Sequence, residues 1–375
     1  IPAICTCWKI GVQLGSVPRL ASLTGALSGA YEDKSECVRA IYFTGRFFMR
    51  RCKAIFALAV MILIGGGAKP EAAEIGELKI NYGAVSAAYT PIWVAQDEGF
   101  FAKQGLKTDL KLIGAATEVQ ALLGGSLHIV NGGPELVDAR LQGGDVLYIG
   151  GIVNRFVFSL FGKSDIQKVA DLRGKNIGAT QPNSSTDFAV RLLLKEAGLV
   201  PGKDAHILYV KGVPEILAAI LQGTVDAGVL SPPTTLKARQ ANIKEILNIT
   251  EKNIPCIQAS IGTTGAFVKE HPDVLRRYFR AYAEAMKFMR GAPEQTKKVI
   301  AKYTATTNRD DLDESYRVFA PIWEKVPYMS VAAIQTLIDF SQNPGAKTAK
   351  PAQFIDNTFA AELERSGFID QLYKQ

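Results

Sequence analysis

Short apolar stretches alternate with amphipathic helical stretches along most of this chain. From Leu78 the order is strand, helix, strand, helix, strand and helix, and the same order resumes after Gly162. Such alternation is typical of an α/β sheet with helices on its faces. From about Glu270 helical periodicity predominates. The 375 residues exceed the usual size of one domain, so we expect two lobes, or one domain with appendages.

Two segments of the chain resemble each other. EVQALLGGSLHIVNGGPELVDAR at 118–140 is similar to EILAAILQGTVDAGVLSPPTTLKAR at 215–239, with Gly125 and Gly223, and Pro134 and Pro232, each 98 positions apart. Two explanations of this similarity are open. The first is that units of helix, glycine, strand and proline resemble one another in any α/β protein, in which case the similarity carries no meaning of its own. The second is that the chain contains two lobes of similar design. Ligands of open α/β sheets bind beyond the carboxyl ends of the strands, so two such lobes would form one cleft.

The N-terminal fifth differs from the rest in charge and in cysteine content. Residues 1–73 contain nine basic and four acidic residues, which is +5 of the total charge of +7. The other 302 residues are close to neutral and have no basic stripe, which argues against nucleic-acid binding. Cys256 is the one cysteine after residue 73, so it has no disulfide partner there, and we expect a core position. The others are Cys5, Cys7, Cys37 and Cys52.

The stretch after Met49, the first methionine of the chain, has the layout of a secretory signal. A basic cluster is followed by an apolar run at 54–64 and by small residues up to Ala73. The apolar run is shorter than the roughly 20 residues of a membrane-spanning helix. We therefore predict a signal peptide at 49–73 and export to the periplasm, and we expect residues 1–48 to be upstream sequence outside the working protein.

A cluster of hydroxyl groups lies between a predicted strand and a leucine-rich helix. In GATQPNSSTDF, Ser184, Ser185 and Thr186 precede the helix, and Gln181 is a neighbouring polar residue. One hydroxyl is enough to cap a helix, which stabilises it by roughly 0.5–2 kcal/mol. The remaining hydroxyls and the free N–H groups of a helix start suit an anionic or strongly polar ligand group. We therefore predict both a cap and a ligand site.

Other strand ends supply further candidate ligand residues. Ser86 and Tyr89 follow the first strand, where ordinary turn chemistry is the competing interpretation. Glycines in the third strand–helix turn would let a ligand approach the backbone closely. Arg155 is a weaker candidate for pairing with an anion. The candidates of the third turn and of its counterpart in the repeat are Asn131, Gly132, Gly133 and Ser231.

Motifs for metal binding, phosphate binding or nucleophilic catalysis are absent from the sequence. The three histidines, His128, His206 and His271, lie far apart and lack metal-ligand spacing. There is no G-x-S-x-G elbow and no Walker-type loop. We expect no cofactor and no metal.

Several stretches together resemble periplasmic solute-binding proteins of ABC transporters, of the nitrate/sulfonate/taurine type. YTPIWVAQDEGFFAKQGLKTDLKLI is similar to the opening of that family, VADLRGKNIGATQPNSSTD to the start of its second lobe, and ILAAILQGTVDAGVLSPP to the end of that lobe. These stretches occur in the family's order, and the resemblance covers about residues 75–288. The C-terminal helices are also typical of the family, but their motifs are weak.

The resemblance implies a type II periplasmic-binding-protein fold of two α/β lobes joined by two crossover strands. It places lobe 1 at 74–158, lobe 2 at 159–260, and the lobe 1 return with C-terminal helices at 261–375. The crossings are expected near 156–162 and 257–267. The lobes would close as a hinge on a small polar or anionic organic solute, sulfonate-, nitrate- or carboxylate-like. The receptor, a monomer without catalytic activity, would then dock on a membrane permease driven by an ATPase.

Two other function classes remain. Fungal thiamine-pyrimidine synthases share the fold, and this chain is similar to them only at the level of lobes. Those enzymes have a cysteine-rich signature, whereas Cys256 stands alone here. The effector domain of a regulator would need a helix-turn-helix, and residues 1–73 do not have that pattern.

Overall fold

A computed structural model describes residues 75–374, apart from the side chain of Ala116. The predicted upstream segment 1–48 and signal peptide 49–73 lie outside these residues. The described residues belong to one compact unit. Within 75–374, no helix combines the length and the apolar character needed to cross a membrane.

The strands and helices follow the alternation predicted from the sequence. The strands are β1 (Leu78–Tyr82), β2 (Thr108–Leu112), β3 (Leu147–Arg155), β4 (Ser159–Gly162), β5 (Asn176–Ala179), β6 (His206–Tyr209), β7 (Ala227–Leu230), β8 (Lys244–Asn248) and β9 (Pro255–Thr263). The helices up to β9 are α1 (Thr90–Asp97), α2 (Phe100–Lys103), α3 (Ala115–Leu123), α4 (Glu135–Leu141), α5 (Ser185–Glu196), α6 (Val213–Leu221) and α7 (Thr234–Gln240). The helices after β9 are α8 (Gly265–Glu270), α9 (Pro272–Gly291), α10 (Pro293–Thr304), α11 (Arg309–Phe319), α12 (Val331–Phe340), α13 (Thr358–Arg365) and α14 (Phe368–Lys374).

Two sheets of the same design form lobe 1 and lobe 2. Lobe 2 has the strand order β6-β5-β7-β4-β8. In lobe 1, β2 pairs parallel with β1, and β3 pairs antiparallel with β9. The stretch 126–133, predicted as a strand, contributes single bridges instead: Ile129 to Ile80 of β1 and Val130 to Gly262 of β9. These bridges complete the order β2-β1-(129–130)-β9-β3, with the same strand directions as in lobe 2.

The repeated segments occupy equivalent places in the two lobes. α3 and α6 have equal length and start 98 positions apart, at Ala115 and Val213. Each is followed by a glycine with positive φ, at Gly125 and Gly223. The next helices, α4 and α7, are capped by Pro134 and Pro233, so the structural partner of Pro134 is one residue beyond Pro232. The similarity between residues 118–140 and 215–239 therefore corresponds to a repeated lobe architecture.

Two short connections join the sheets. The chain leaves β3 after Arg155 and enters β4 at Ser159, within the first predicted crossing. It returns through 249–254 to β9, just before the second predicted crossing. The two connections lie side by side, because the Phe156 N–H donates to the Ile254 carbonyl at 3.3 Å.

The C-terminal helices pack mainly on lobe 1. α9 and α10 lie against α1, while α12 packs against β9 and α13 against β3. The core of this region contains large buried aromatic side chains, among them Trp93, Tyr278, Phe279 and Tyr282. One helix of this extension, α11, also contacts α7 of lobe 2. The extension thus supports the first lobe and also reaches the second.

Candidate functional site

A cavity lies between the two lobes, at the carboxyl ends of β1, β5 and β7. Its empty space, including the solvent-filled mouth, is about 490 Å³. This position agrees with the general rule for ligand sites on open α/β sheets. The lobe 1 residues that line it are Gly83, Ala84, Ser86, Ala88, Tyr89, Ala115, Gly133, Glu135 and Gln258. The connection and lobe 2 contribute Phe158, Thr180, Gln181, Ser184, Ser185, Thr186, Lys211, Val213 and Ser231.

The hydroxyl cluster of lobe 2 is mostly occupied by bonds within the protein. Ser184 is the N-cap of α5, and its Oγ accepts from the Asp187 N–H at 3.3 Å. Thr180 Oγ1 donates to Ser184 Oγ at 2.9 Å and lies 2.8 Å from Thr186 Oγ1. The Thr180 N–H also donates to Thr186 Oγ1, at 2.9 Å. Ser184 and Thr186 therefore hold the end of β5 against the start of α5.

Ser185 is the hydroxyl of the cluster that remains available. The side chain is half-buried and lines the cavity, and it makes no hydrogen bond to the residues that the structure describes. The backbone N–H groups of the first helical turn have no partners within a helix. At this position the start of α5 can therefore offer a hydroxyl and N–H groups to an acceptor group of a solute.

We expect Ser184→Ala to affect mainly the stability of the protein and Ser185→Ala to affect mainly solute binding. S184A removes the cap and one member of the hydroxyl network, and it should lower the free energy of unfolding by about 1 kcal/mol. S185A should leave that free energy unchanged within about 0.5 kcal/mol and weaken solute binding, because it removes an unused donor. Denaturant unfolding and calorimetric titration of each variant measure the two effects. Equal loss of stability in both variants would contradict this division of roles.

Ser86 and Tyr89 form the lobe 1 side of the cavity. Ser86 is the N-cap of the 3-10 turn Ala87–Tyr89, and its Oγ lies 3.1 Å from Ser231 Oγ of lobe 2. Tyr89 is 4% exposed, and its hydroxyl has no hydrogen-bond partner among residues 75–374. Burial, with smaller contributions from Glu118 and Glu135, raises the pKa of Tyr89 well above its ordinary value. The Tyr89 hydroxyl therefore stays neutral and can donate to or accept from a solute.

Two buried carboxyl groups lie behind the third strand–helix turn. Glu118 of α3 is fully buried and Glu135 at the start of α4 is 6% exposed, and an oxygen of each lies beside Gly132. Asn81 donates to Glu118 Oε2, and the Gly133 N–H donates to Glu135 Oε1 at 2.6 Å. Burial, followed by the charge of Glu135, raises the pKa of Glu118 well above its ordinary value. Glu118 therefore favours its protonated, neutral form.

Eight of the ten candidate ligand residues from the sequence line the cavity, and Asn131 and Gly132 do not. Asn131 is fully buried: its N–H and Nδ2 donate to Asn81, and its Oδ1 accepts from Tyr278 at 2.7 Å. The carbonyl of Gly132 accepts from the N–H and the hydroxyl of Ser260. Both residues therefore support the wall from behind. Arg155, at the end of β3, is also outside the lining.

Several lining residues were missed by the sequence reasoning. Acidic residues such as Glu135 are common in the first turn of a helix, because their charge complements the helix dipole. The position of Glu135 therefore gave no sign of a role in the cavity. Gln258 lies inside β9, where its amide bonds both backbone groups of Val157 in the first connection. Thr180 and Lys211 follow strand ends, and that position alone could have identified them. No local signal distinguishes Glu135 or Gln258 from structural residues.

The remaining reactive side chains lie away from the cavity. Cys256 is fully buried, as predicted, and burial raises the pKa of its thiol. Within 75–374 no group of three His, Cys, Asp or Glu side chains is arranged to hold a metal ion. The polar part of the cavity lining thus consists of hydroxyl groups, amides, one buried carboxyl group and one exposed lysine, beside apolar residues such as Phe158 and Val213.

Comparison with known proteins identifies the family. Residues 86–296, more than half of the chain, match the family described as NMT1/THI5 like. The chain belongs to this family. The match begins at the cavity residue Ser86 and includes all the candidate ligand residues. No curated protein sequence matches the chain significantly.

Solved structures confirm the periplasmic-binding-protein fold of this family member. A protein from Bordetella bronchiseptica RB50 is 20% identical, with a TM-score of 0.71, covering 78% of this chain and 98% of its own. The nitrate-binding protein NrtA from Synechocystis PCC 6803 is 15% identical, with a TM-score of 0.62 and coverages of 78% and 89%. The alkanesulfonate-binding protein SsuA from Xanthomonas axonopodis pv. citri, bound to MOPS, is 18% identical, with a TM-score of 0.61 and coverages of 77% and 98%.

Proposed function

We propose that this protein is an exported solute receptor of an ABC importer. It binds a small polar or anionic organic solute, sulfonate-, nitrate- or carboxylate-like, between its lobes and delivers it to a membrane permease driven by an ATPase. The receptor works as a periplasmic monomer and has no catalytic activity. The observation that carries the proposal is the cavity between the lobes, where unused hydroxyl and N–H groups from both sides converge.

Contacts across the mouth of the cavity support closure of the lobes on the solute. The Ala87 N–H donates to the Pro232 carbonyl at 3.4 Å, next to the Ser86–Ser231 contact. Farther out, Glu314 of α11 accepts from Thr235 at 3.1 Å and pairs with Arg239, both on α7. Such contacts between lobes favour a closed state, because an opening motion about the two connections would break them.

We expect Glu314→Gln to weaken solute binding without destabilising either lobe. The closed state would lose a charge-assisted hydrogen bond that an open state lacks, so the dissociation constant should rise roughly three- to tenfold. Asp313→Asn is the matched control, because Asp313 of the same helix pairs with Lys297 and Arg309 inside lobe 1. Calorimetric titration measures the affinities. An equal loss in both variants would count against a role of Glu314 in closure.

The alternative is an enzyme on the same fold, related to thiamine-pyrimidine synthesis. Cys256, the one cysteine among residues 75–374, is unsuited to a nucleophilic role, because it is buried outside the cavity and burial raises the pKa of its thiol. Conversion of a bound candidate solute by the pure protein, followed by mass spectrometry, would overturn the receptor proposal in favour of the enzyme.

A thermal-shift screen tests the proposed function directly. The probes are sulfonates, nitrate, carboxylates, aromatic acids and pyrimidines. A solute at 100 times its dissociation constant should stabilise the protein by roughly 2.7 kcal/mol. Stabilisation by a member of one class, lost in a variant whose cavity is blocked by Ser231→Trp, supports the receptor. A screen in which no small solute stabilises the protein would contradict it.

A further inference from the structure

A second cavity lies where three parts of the molecule meet. Its walls come from α4 of lobe 1, from α5 of lobe 2 with the residue Asn183 before it, and from the segment 340–343 at the end of α12. The empty space, including the open mouth, is about 740 Å³, which is within the usual size range of small-molecule sites. None of the described residues lines both this cavity and the one between the strand ends. The function proposed above therefore leaves the second cavity without a role.

The α5 wall of the second cavity presents a guanidinium group that is held in place. Arg191 Nε donates to the two carboxylate oxygens of Asp187 at 3.0 and 2.9 Å, and Nη2 donates to the Tyr209 hydroxyl at 3.2 Å. The Asp187 side chain is fully buried and also accepts from the Asn183 N–H at 3.0 Å. Arg191 Nη1 makes no hydrogen bond to the described residues. The group is therefore neutralised and fixed by Asp187, and it still has donors to offer.

The other walls present acceptors and amide groups. Asp138 Oδ1 accepts from the Ser341 hydroxyl at 3.0 Å, whereas its Oδ2 accepts no hydrogen bond from the described residues. The side chains of Gln142, Asn183 and Gln342 line the cavity and make no hydrogen bond to the described residues. An amide carries two donor hydrogens and an acceptor oxygen on one planar group. Donors and acceptors thus alternate around the cavity.

Two aromatic rings add apolar surface to the same cavity. Phe188 of α5 is 8% exposed, and Phe340 at the end of α12 is half-buried. Lys195 Nζ lies 4.1 Å from the centroid of the Phe340 ring, and this contact helps to fix the ring. The C–H groups of a ligand can pack on such rings, while its polar groups bond the walls.

This combination of groups suits a neutral molecule with many hydroxyl groups. A hydroxyl both donates and accepts, so it can pair with Arg191, with Asp138 or with any of the amides. An anion would meet the carboxylate of Asp138, and the charge of Arg191 is already balanced by Asp187; a cation would meet Arg191. We propose that the second cavity binds a saccharide, whose hydroxyl groups bond the polar side chains and whose C–H groups pack on Phe188 and Phe340.

Saturation-transfer NMR with defined sugars tests this inference. The neutral probes are D-glucose, D-galactose, D-mannose and maltose, and the charged analogues are D-glucuronate and D-glucosamine. We expect at least one neutral sugar to bind with a dissociation constant of roughly 10 mM or less, and both charged analogues to bind at least about threefold more weakly. Binding of none of the neutral sugars, or tighter binding of a charged analogue, would overturn the inference.

Variants then assign the binding to the second cavity. Asn183→Gly together with Gln342→Ala removes two amides and should raise the dissociation constant of the sugar roughly threefold or more. Glycine permits the φ of 62° that Asn183 adopts, and Gln342 is exposed, so the fold should be kept. Gln240→Ala is the matched control, because Gln240 is an exposed amide at the end of α7, 98 positions after Gln142 and outside the cavity.

The double variant and the control separate the possible outcomes. Loss of affinity in the double variant, with wild-type affinity in the Gln240→Ala control, supports the saccharide site. Wild-type affinity in the double variant, or an equal loss in the control, would overturn the assignment to this cavity. None of the changed residues lines the cavity between the strand ends, so the receptor proposal is tested separately by its own screen.

Discussion

Gly132→Ala is expected to lower the free energy of unfolding by about 1–3 kcal/mol and to abolish solute binding. A Cβ atom at this position would lie 1.7 Å from Glu118 Oε1 and 2.3 Å from Glu135 Oε1. Both side chains are buried, so neither can move into solvent to relieve the contact. The side chains of Glu118 and Glu135 would have to move apart, and Glu135 would lose its position in the cavity lining. Denaturant unfolding and calorimetric titration measure the two losses.

Gly291→Ala is the matched control for this substitution. A Cβ atom at Gly291, the last residue of α9, would meet no atom within 4 Å apart from its chain neighbours and the backbone of its own helix. Its unfolding free energy and its affinity should stay within about 0.5 kcal/mol of the wild type. Equal behaviour of G132A and G291A would show that the space between the carboxyl groups is not a constraint on the fold.

Glu118→Gln is expected to change how stability depends on pH. The pKa of Glu118 in the folded protein lies well above the ordinary value of 4.5, so the folded state binds more protons than the unfolded state between these values. The contribution of Glu118 is therefore fully present below about pH 4.5 and is lost as the pH rises through the folded pKa, by at most about 1.4 kcal/mol per pH unit. Glutamine keeps the size of the side chain and an acceptor for Asn81, but it cannot ionise.

The measurement is a pair of denaturant titrations of wild type and E118Q at about pH 5 and about pH 8. The two proteins should be similar in stability at the lower pH, and E118Q should be the more stable one at the higher pH. Glu270→Gln, at an exposed position of α8, should follow the wild type throughout. Parallel profiles of wild type and E118Q would mean that Glu118 is already ionised in the folded protein.

Much of the fold was predictable, because its signals are local. Gly125 and Gly223 adopt positive φ after their helices, as glycine permits, and prolines precede α4 and α7 at corresponding places. The exception is the stretch 126–133, which forms only single bridges between β1 and β9. Its apolar residues are buried between β1 and β9, so the alternation of apolar residues predicted a strand here. The backbone, however, makes only one bridge to each neighbouring strand.

The sequence predicted the position of the candidate site in the fold but not the roles of its individual residues. Residues that follow parallel strands gather at one edge of a sheet, which is why eight candidates line the cavity. Their individual roles depend on neighbours that are distant in sequence. Thr180 engages Ser184 and Thr186 and leaves Ser185 available. Asn131 lies outside the cavity lining, and its side chain accepts a hydrogen bond from Tyr278 of the C-terminal extension.

By itself, the sequence determined the two α/β lobes, their repeated design and the strand ends that form the cavity, because glycines, prolines, caps and periodicity act within a few residues. Only the tertiary structure decided that Glu118 and Glu135 lie together beside Gly132 and that Arg239 of lobe 2 pairs with Glu314 of the C-terminal extension. Such pairs form when separate elements pack together, and burial then sets their charge. The electrostatic character of the site is therefore a property of the packing.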